Sequence, residues 1–324
     1  MERETELTPK MPLSKAAEFL DISAQAVHRQ LKSKNLNCPK IGNKLYLNYS
    51  IAKQLFDISI QQKKISCHVV KGGTGKTTTT QNIATCANTY GLRVLQIDID
   101  PQANLTDSYN INADDSPVLI DLINEKAQIG DSIISISDGL DIIPSRIENV
   151  VLDNTIVNAR TPLHNLFSLL LQDVEENYDL ILIDCPPTMG QVVTAANLYA
   201  DLVLAPLNPD KFSVKGLKIL QNEIALLSKK YKTQLEFKVF LNKFSGNTIL
   251  SDKTLSFLLN QEDMENKVLQ TAVRFSQEIP NTTAVNKSMF STLKASPTRT
   301  DFDQLTREIL GITFNKDRSK KKII

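Results

Sequence analysis

The sequence predicts an α/β protein: a doubly wound, mostly parallel sheet with a phosphate-binding loop, preceded by a small winged helix-turn-helix-like domain. Three observations predict it. Short runs that are apolar throughout, such as Leu180–Ile183, alternate with helical stretches, the pattern of parallel strands covered on both faces. A glycine- and lysine-rich stretch, VVKGGTGKTTTT (Val69–Thr80), lies between one such run and a helix. The front is basic: residues 1–64 hold eleven Lys and Arg against six Asp and Glu, although the whole 324-residue chain carries only +1.

In chain order, SKAAEFLDISAQAVHRQLKSKNL (Ser14–Leu36) reads as helix, short turn, helix, with Ala16, Ala17, Leu20, Ile22, Val27 and Leu31 spaced for one core. Ser23 suits the N-cap of the second helix. Residues 40–47 fit a small β-wing. ISCHVV (Ile65–Val70) reads as a buried strand, followed by a helix from Lys76 to about Tyr90 that Gly91 stops. RVLQID (Arg93–Asp98) is the next strand, and GLDIIPS holds a short one. TPLHNLFSLLLQDVEE (Thr161–Glu176) opens with Thr-Pro and keeps helical apolar spacing, so it predicts one helix. Strand Leu180–Ile183, strand DLVLAPL, helix Val214–Tyr231 and strand Leu235–Leu241 complete the alternation. Ligands of such sheets gather at the strand C-termini. The expected domains are 1–62 (front module), 63–312 (phosphate-loop domain) and 313–324 (basic tail).

Composition narrows the function classes. Hydrophobic residues at 41% and charged residues at 23% are ordinary for a globular protein. No apolar run approaches the roughly 20 residues of a spanning helix. Cys38, Cys67, Cys86 and Cys185 form no C-x-x-C pair, which fits reduced thiols in the cytoplasm. His28, His68 and His164 are scattered and read as structural, since metal sites need clustered ligands.

The loop departs from the standard G-x-x-x-x-G-K-S/T pattern, because Val70 stands where the first glycine belongs and Lys71 follows it. Its amides, with the helix N-terminus behind them, still make an anion nest. Gly72, Gly73, Thr74, Gly75 and Thr78 would cradle phosphate, Lys76 would meet β/γ-phosphate oxygens, and the Thr77 hydroxyl would face Mg²⁺.

K-G-G-x-G-K-T resembles the deviant Walker A loop of the ParA/MinD family of ATPases, and the resemblance runs from about Ile65 to Leu310. It implies ATP and Mg²⁺ as cofactors, an ATP-dependent homodimer, and a Lys71 that crosses the interface to phosphates in the partner subunit. VLQIDIDPQANLT (Val94–Thr106) resembles the family's switch segment, with Asp98 near Mg²⁺ and Asp100 positioning or activating the attacking water; Ala103 replaces the usual glycine. ILIDCPP resembles its Walker B, with Asp184 holding the Mg²⁺ water shell. VLAPLNPDKFSVKGL places Pro209 in a loop beside the nucleotide, and Asn242 matches a position near adenine. AVRFSQEIPNTTAV puts Arg274 where the family has a DNA-binding arginine.

The front module resembles the winged helix-turn-helix of MerR-like repressors. Arg29, Lys32, Lys34 and Lys44 would then meet DNA, with lysines on phosphates. The alternative is a small helical cap that supports the dimer. The expected function is ATP-dependent DNA partition: an ATP dimer on nonspecific DNA, a ParB-type partner that stimulates hydrolysis, and operon autorepression through the front module. An ATP-regulated repressor and a MinD-like positioning ATPase are the alternatives. The tail FNKDRSKKKII lacks the apolar face of a membrane helix, so a cytoplasmic, nucleoid-associated protein is expected. Cys185 alone does not supply the paired ligands of cluster-carrying relatives.

Overall fold

The computed structural model describes residues 6–246, 254, 256, 258, 264 and 266–314. The basic tail lies outside the described residues from 315 onward.

The front of the chain folds as β1 (Met11–Pro12), α1 (Leu13–Leu20), α2 (Ala24–Ser33), β2 (Lys40–Ile41), β3 (Lys44–Leu47) and α3 (Tyr49–Phe56). Asp21, with φ of 58°, ends α1 in the left-handed region. Two residues later the Ser23 side chain accepts the Ala26 N–H and starts α2. Lys40–Ile41 pairs antiparallel with Lys44–Leu45 around Gly42, and β1 adds to the other edge of β3. The two helices with a short turn expected over 14–36 and the hairpin expected over 40–47 are present as secondary structure.

The body is a seven-stranded sheet of β4 (Lys63–Cys67), β5 (Val94–Asp98), β6 (Ile134–Ser137), β7 (Leu140–Ile143), β8 (Leu180–Asp184), β9 (Leu202–Leu207) and β10 (Phe237–Leu241), in the order β10-β9-β4-β8-β5-β7-β6. Neighbouring strands are parallel except β6, which turns back on β7. Alternation along β8 serves both faces: Leu180 and Leu182 enter one apolar cluster, Ile181 and Ile183 the other. The covering helices include α4 (Lys76–Thr89), α5 (Leu152–Ala159), α6 (Leu166–Leu171), α7 (Gln191–Tyr199), α8 (Lys211–Tyr231) and α9 (Pro297–Leu310). Helix α4 is buried almost all round, because the sheet, α9 and the front module enclose it.

The front module is not a bead on a string. Phe19 and Phe56 enter the same cluster as Ile83, Tyr90, Phe302 and Leu305 of the body. The Phe19 ring lies 5.0 Å from Phe56, 5.1 Å from Tyr90 and 5.7 Å from Phe314. Two body glycines make room for α3. A Cβ on Gly91 would stand 2.5 Å from the Lys53 backbone, and one on Gly139 would stand 2.5 Å from the Tyr49 ring.

Two readings need correction. The single helix expected over 161–176 is a 3-10 turn (Leu163–Asn165), α6 and a second 3-10 turn (Glu175–Asn177). Its apolar residues Leu166, Phe167 and Leu171 still pack inward, but both ends tighten as the chain turns toward β8. The first body strand stops at Cys67 rather than Val70: His68 keeps one bond to β9, and the chain beyond it leaves the sheet to begin the phosphate loop.

Candidate functional site

The carboxyl ends of β4, β5 and β8 meet at one place. Register pairs Cys67 with Asp184 and Asp98 with Asp184, which sets two carboxylates beside the loop that follows β4. Gly75 is the N-cap of α4 at φ 93°, and a Cβ there would lie 2.4 Å from Asn242 Nδ2, so only glycine fits. Gly72 and Gly73 have open space where a Cβ would sit. They border a cleft of about 480 Å³ whose walls also include Gly75, Lys76, Thr77, Thr78, Asp100 and Pro187.

The loop is braced from behind. Asn242 Nδ2 donates to the Thr74 carbonyl at 2.7 Å, while Asn208 Nδ2 and Lys243 Nζ donate to the Gly73 carbonyl at 3.1 and 2.8 Å. Asn242 thus faces the loop backbone. Lys76 is buried at the foot of the loop, with Nζ 3.1 Å from the Lys71 carbonyl. Lys71 turns the other way: its Nζ lies 2.6 Å from each carboxylate oxygen of Asp210. Pro209 is half-buried in the same loop as Asp210.

The acids divide the labour. Asp184 Oδ2 accepts from Thr77 Oγ1 at 2.7 Å, and Thr80 Oγ1 lies 3.2 Å from Oδ1. Asp98 is sealed: Thr106 N and Oγ1 donate to its Oδ2 at 3.0 and 2.8 Å, and Asp100 N donates to its Oδ1 at 3.1 Å. Burial pushes both carboxyls above their ordinary range; the Asp184 charge adds to the rise at Asp98, while the Thr77 hydrogen bond and Lys76 oppose it at Asp184. Asp98 therefore shapes the turn carrying Asp100, and Asp184 is the acid in contact with the loop threonine. Asp100 Oδ1 accepts Gln102 N at 2.9 Å, and its carbonyl accepts Ser145 Oγ–H at 2.7 Å.

These residues fit a polyphosphate and a hard cation. Open glycine amides and a buried lysine suit the anion. Thr74 Oγ1 is buried with no partner among the described residues, a polar atom left over beside the open loop. A hydroxyl with a carboxylate on its hydrogen is an oxygen-donor set of the kind Mg²⁺ takes, with water and phosphate oxygens as its other ligands. Among the described residues no three His, Cys, Asp or Glu side chains cluster for a metal, so the protein alone offers no complete cage.

Away from the cleft, Arg29, Lys32, Lys34 and Lys44 are all exposed on the front module. Lys34 Nζ donates to the Gln54 carbonyl at 2.6 Å, which ties α2 to α3. Arg274 is also exposed, but Asp301 grips its guanidinium at 2.6 and 2.7 Å. The sequence reading singled out neither Asp210 nor Lys243. An acid straight after Asn208-Pro209, at the start of a helix beside the site, was the available signal for Asp210; nothing local marks Lys243.

Residues 62–237 match the AAA domain family. The chain is 32% identical over 206 residues to the sporulation initiation inhibitor protein Soj of Bacillus subtilis, covering 63% of this chain and 80% of Soj. It is 31% identical over 257 residues to a ParA family protein of Chlamydia muridarum, covering 76% and 97%. Among solved structures, a Cyanothece McdA–ATP complex superposes with a TM-score of 0.70 at 21% identity, covering 79% of this chain and 98% of that one. A plasmid partition protein from Borrelia burgdorferi gives a TM-score of 0.61 at 21% identity, covering 78% and 99%. At such identity these two structures bear on the fold alone.

Proposed function

The chain belongs to the ParA family of P-loop ATPases, and from that premise we propose that it hydrolyses ATP with Mg²⁺ to partition DNA. The observation that carries the reading is the loop itself: one glycine turn holds two lysines, Lys76 lining an open cleft with Asp100 and Lys71 turned to Asp210. When bound, ATP with Mg²⁺ supplies the phosphoryl group passed to water and the cation that offsets its charge. Lys76 and the amides of 72–78 hold the phosphates. Thr77, oriented by Asp184, serves the cation, and Asp98 acts there by shaping the turn. Asp100 orients the water. Lys71 leaves Asp210 to reach the nucleotide of a partner subunit, so closing the dimer exchanges one anionic partner for another. Pro209 lies in the loop beside the nucleotide, and Asn242, which also holds the Thr74 carbonyl, sits near the adenine.

The ATP dimer binds DNA nonspecifically, with Arg274 presenting the edge of its guanidinium that Asp301 leaves open. A ParB-type protein stimulates turnover and release. The front module reads an operator through Arg29, Lys32 and Lys44, with Lys34 at the end of the same helix; its helix-turn-wing geometry and exposed bases support this. No helix among the described residues is long and apolar enough to cross a membrane, and the proposed place of work is the nucleoid.

Nucleotide titration and turnover test the reading. The wild type should hydrolyse ATP and dimerise with it, and Lys76→Ala should lose nucleotide binding. Lys71→Ala should bind nucleotide but not dimerise with it. Binding by Lys76→Ala equal to the wild type would reject the site.

A further inference from the structure

We propose that His68 is a positioning residue: its imidazole fastens the loop after β8, through the Thr188 carbonyl, to the strand that feeds the phosphate loop. The proposal rests on the ATPase reading for its consequence in turnover, but its geometry stands apart from it.

His68 directly follows β4 and is fully buried. Its backbone N–H still bonds to Leu204 O at 3.0 Å. The side chain lies between two partners, Thr188 O at 3.1 Å from Nε2 and Asn197 Nδ2 at 3.1 Å from Nδ1. A carbonyl only accepts, so Nε2 must carry the proton. Burial drives the imidazole pKa down to about 4, so the ring is neutral and Nδ1 keeps its lone pair. Asn197 must then present its NH₂ to the ring, which leaves its Oδ1 to accept from Ser66 Oγ at 2.7 Å. One directed chain runs from Ser66 through Asn197 and His68 to Thr188, all of it determined by the single carbonyl at its end.

That carbonyl belongs to the segment that leaves Asp184 and lines the cleft at Pro187. The far end of the segment is fixed separately: Asp153 Oδ1 accepts Val192 N at 3.0 Å, and a Cβ on Gly190 would stand 2.1 Å from Asp153 Oδ2. Thr188 and Met189 are exposed between the two fastenings. His68 also sits a few residues before Gly72. One imidazole therefore sets the spacing of two walls of the cleft, where a misplacement of about 1 Å costs on the order of 100-fold in rate.

Two substitutions separate the ring nitrogens. The amide of glutamine comes near the place of Nε2, that of asparagine near the place of Nδ1. His68→Gln should keep the bond to Thr188, and His68→Asn should lose it. In the nucleotide-free protein, amide hydrogen exchange over residues 185–191 should quicken about tenfold in His68→Asn and stay near wild type in His68→Gln. In ATP turnover, His68→Asn should lose about tenfold in kcat with KM unchanged, and His68→Gln should recover most of it. Unchanged exchange in His68→Asn, or equal effects of both variants, overturns the proposal. A wild type that does not turn over ATP sinks the ATPase reading alone, since exchange still decides the role of His68. Should His68→Asn fail to fold, the ¹⁵N imidazole spectrum of the wild type decides: a protonated Nε2 supports the proposal, and a protonated Nδ1 overturns it.

Discussion

Two regions of this molecule bury positive charge, and they do so differently. At the seam between the front module and α9, Arg299 donates to the carbonyls of Met289, Thr292 and Lys10, and Lys10 Nζ donates to Thr8 O at 2.7 Å and Ser291 O at 2.8 Å. Asp303 nearby accepts the Tyr90 hydroxyl at 2.6 Å and Arg307 Nε at 3.2 Å. These cations end on fixed groups of their own chain, so the network is complete without a guest. At the cleft, Lys71 and Lys76 flank a turn whose Gly72 and Gly73 face open space, and Thr74 Oγ1 has no partner among the described residues. A polar network closed in on all sides holds segments together, whereas the cleft cations, paired with Asp210 and the Lys71 carbonyl, have open room beside them in which a ligand can replace those partners.

The largest expected effect tests whether the seam belongs to the core. Removing residues 1–60 would uncover Tyr90, Phe302 and Leu305, so the shortened chain should lose its cooperative thermal transition. A truncated protein that melts like the full chain would make the module an independent attachment. At the cleft, Asp100→Ala should keep ATP binding, dimerisation and melting temperature while turnover falls about 100-fold or more. Normal hydrolysis by this variant would remove Asp100 from the chemistry.

A pair of glycines sharpens the contrast further. Gly139→Ala would set a Cβ against the Tyr49 ring at φ 70° and should cost about 2 kcal/mol of stability while sparing nucleotide affinity. Gly72→Ala has no protein atom to meet and should spare stability while weakening nucleotide binding. Calorimetry and titration on both proteins would show whether the two losses separate.

The smallest effect lies in pH. An unfolded lysine keeps its proton to about 10.5, but burial, then the charges of Lys287 and Arg299, pull Lys10 down to about 8. Between these values the unfolded chain binds more protons, so this residue makes stability rise with pH from about 8 to about 10.5. Lys10→Met should flatten that part of a stability profile; an identical slope would mean that Lys10 holds its proton as an exposed lysine does.

Periodicity and punctuation made the body legible. Apolar strands, Gly91 after α4 and the K-G-G-T-G-K-T loop were enough to place Lys76 and Thr77 at one end of a parallel sheet, while Asp100 and Asp184 came from the resemblance of their segments to the family's switch and Walker B. Strand β6 was missed, although Asp138-Gly139 is a two-residue hairpin signal and Gly139 takes φ 70°. The rest depends on contacts between residues distant in sequence. Nothing near Lys71 points to Asp210, 139 positions away, and nothing near Arg274 points to Asp301. Asp98 is expected near Mg²⁺ from its segment's resemblance, and nothing local shows that Thr106, eight residues on, donates to its carboxylate.

Gly91 and Gly139 give the front module a lock-and-key fit of pure shape, since each clears space for one turn of α3. Exchange of modules between proteins is thereby constrained. A body grafted from a protein without such a module would need both clearances before α3 could lie down on it. The front module and the body of this protein can therefore be recombined only as a matched set.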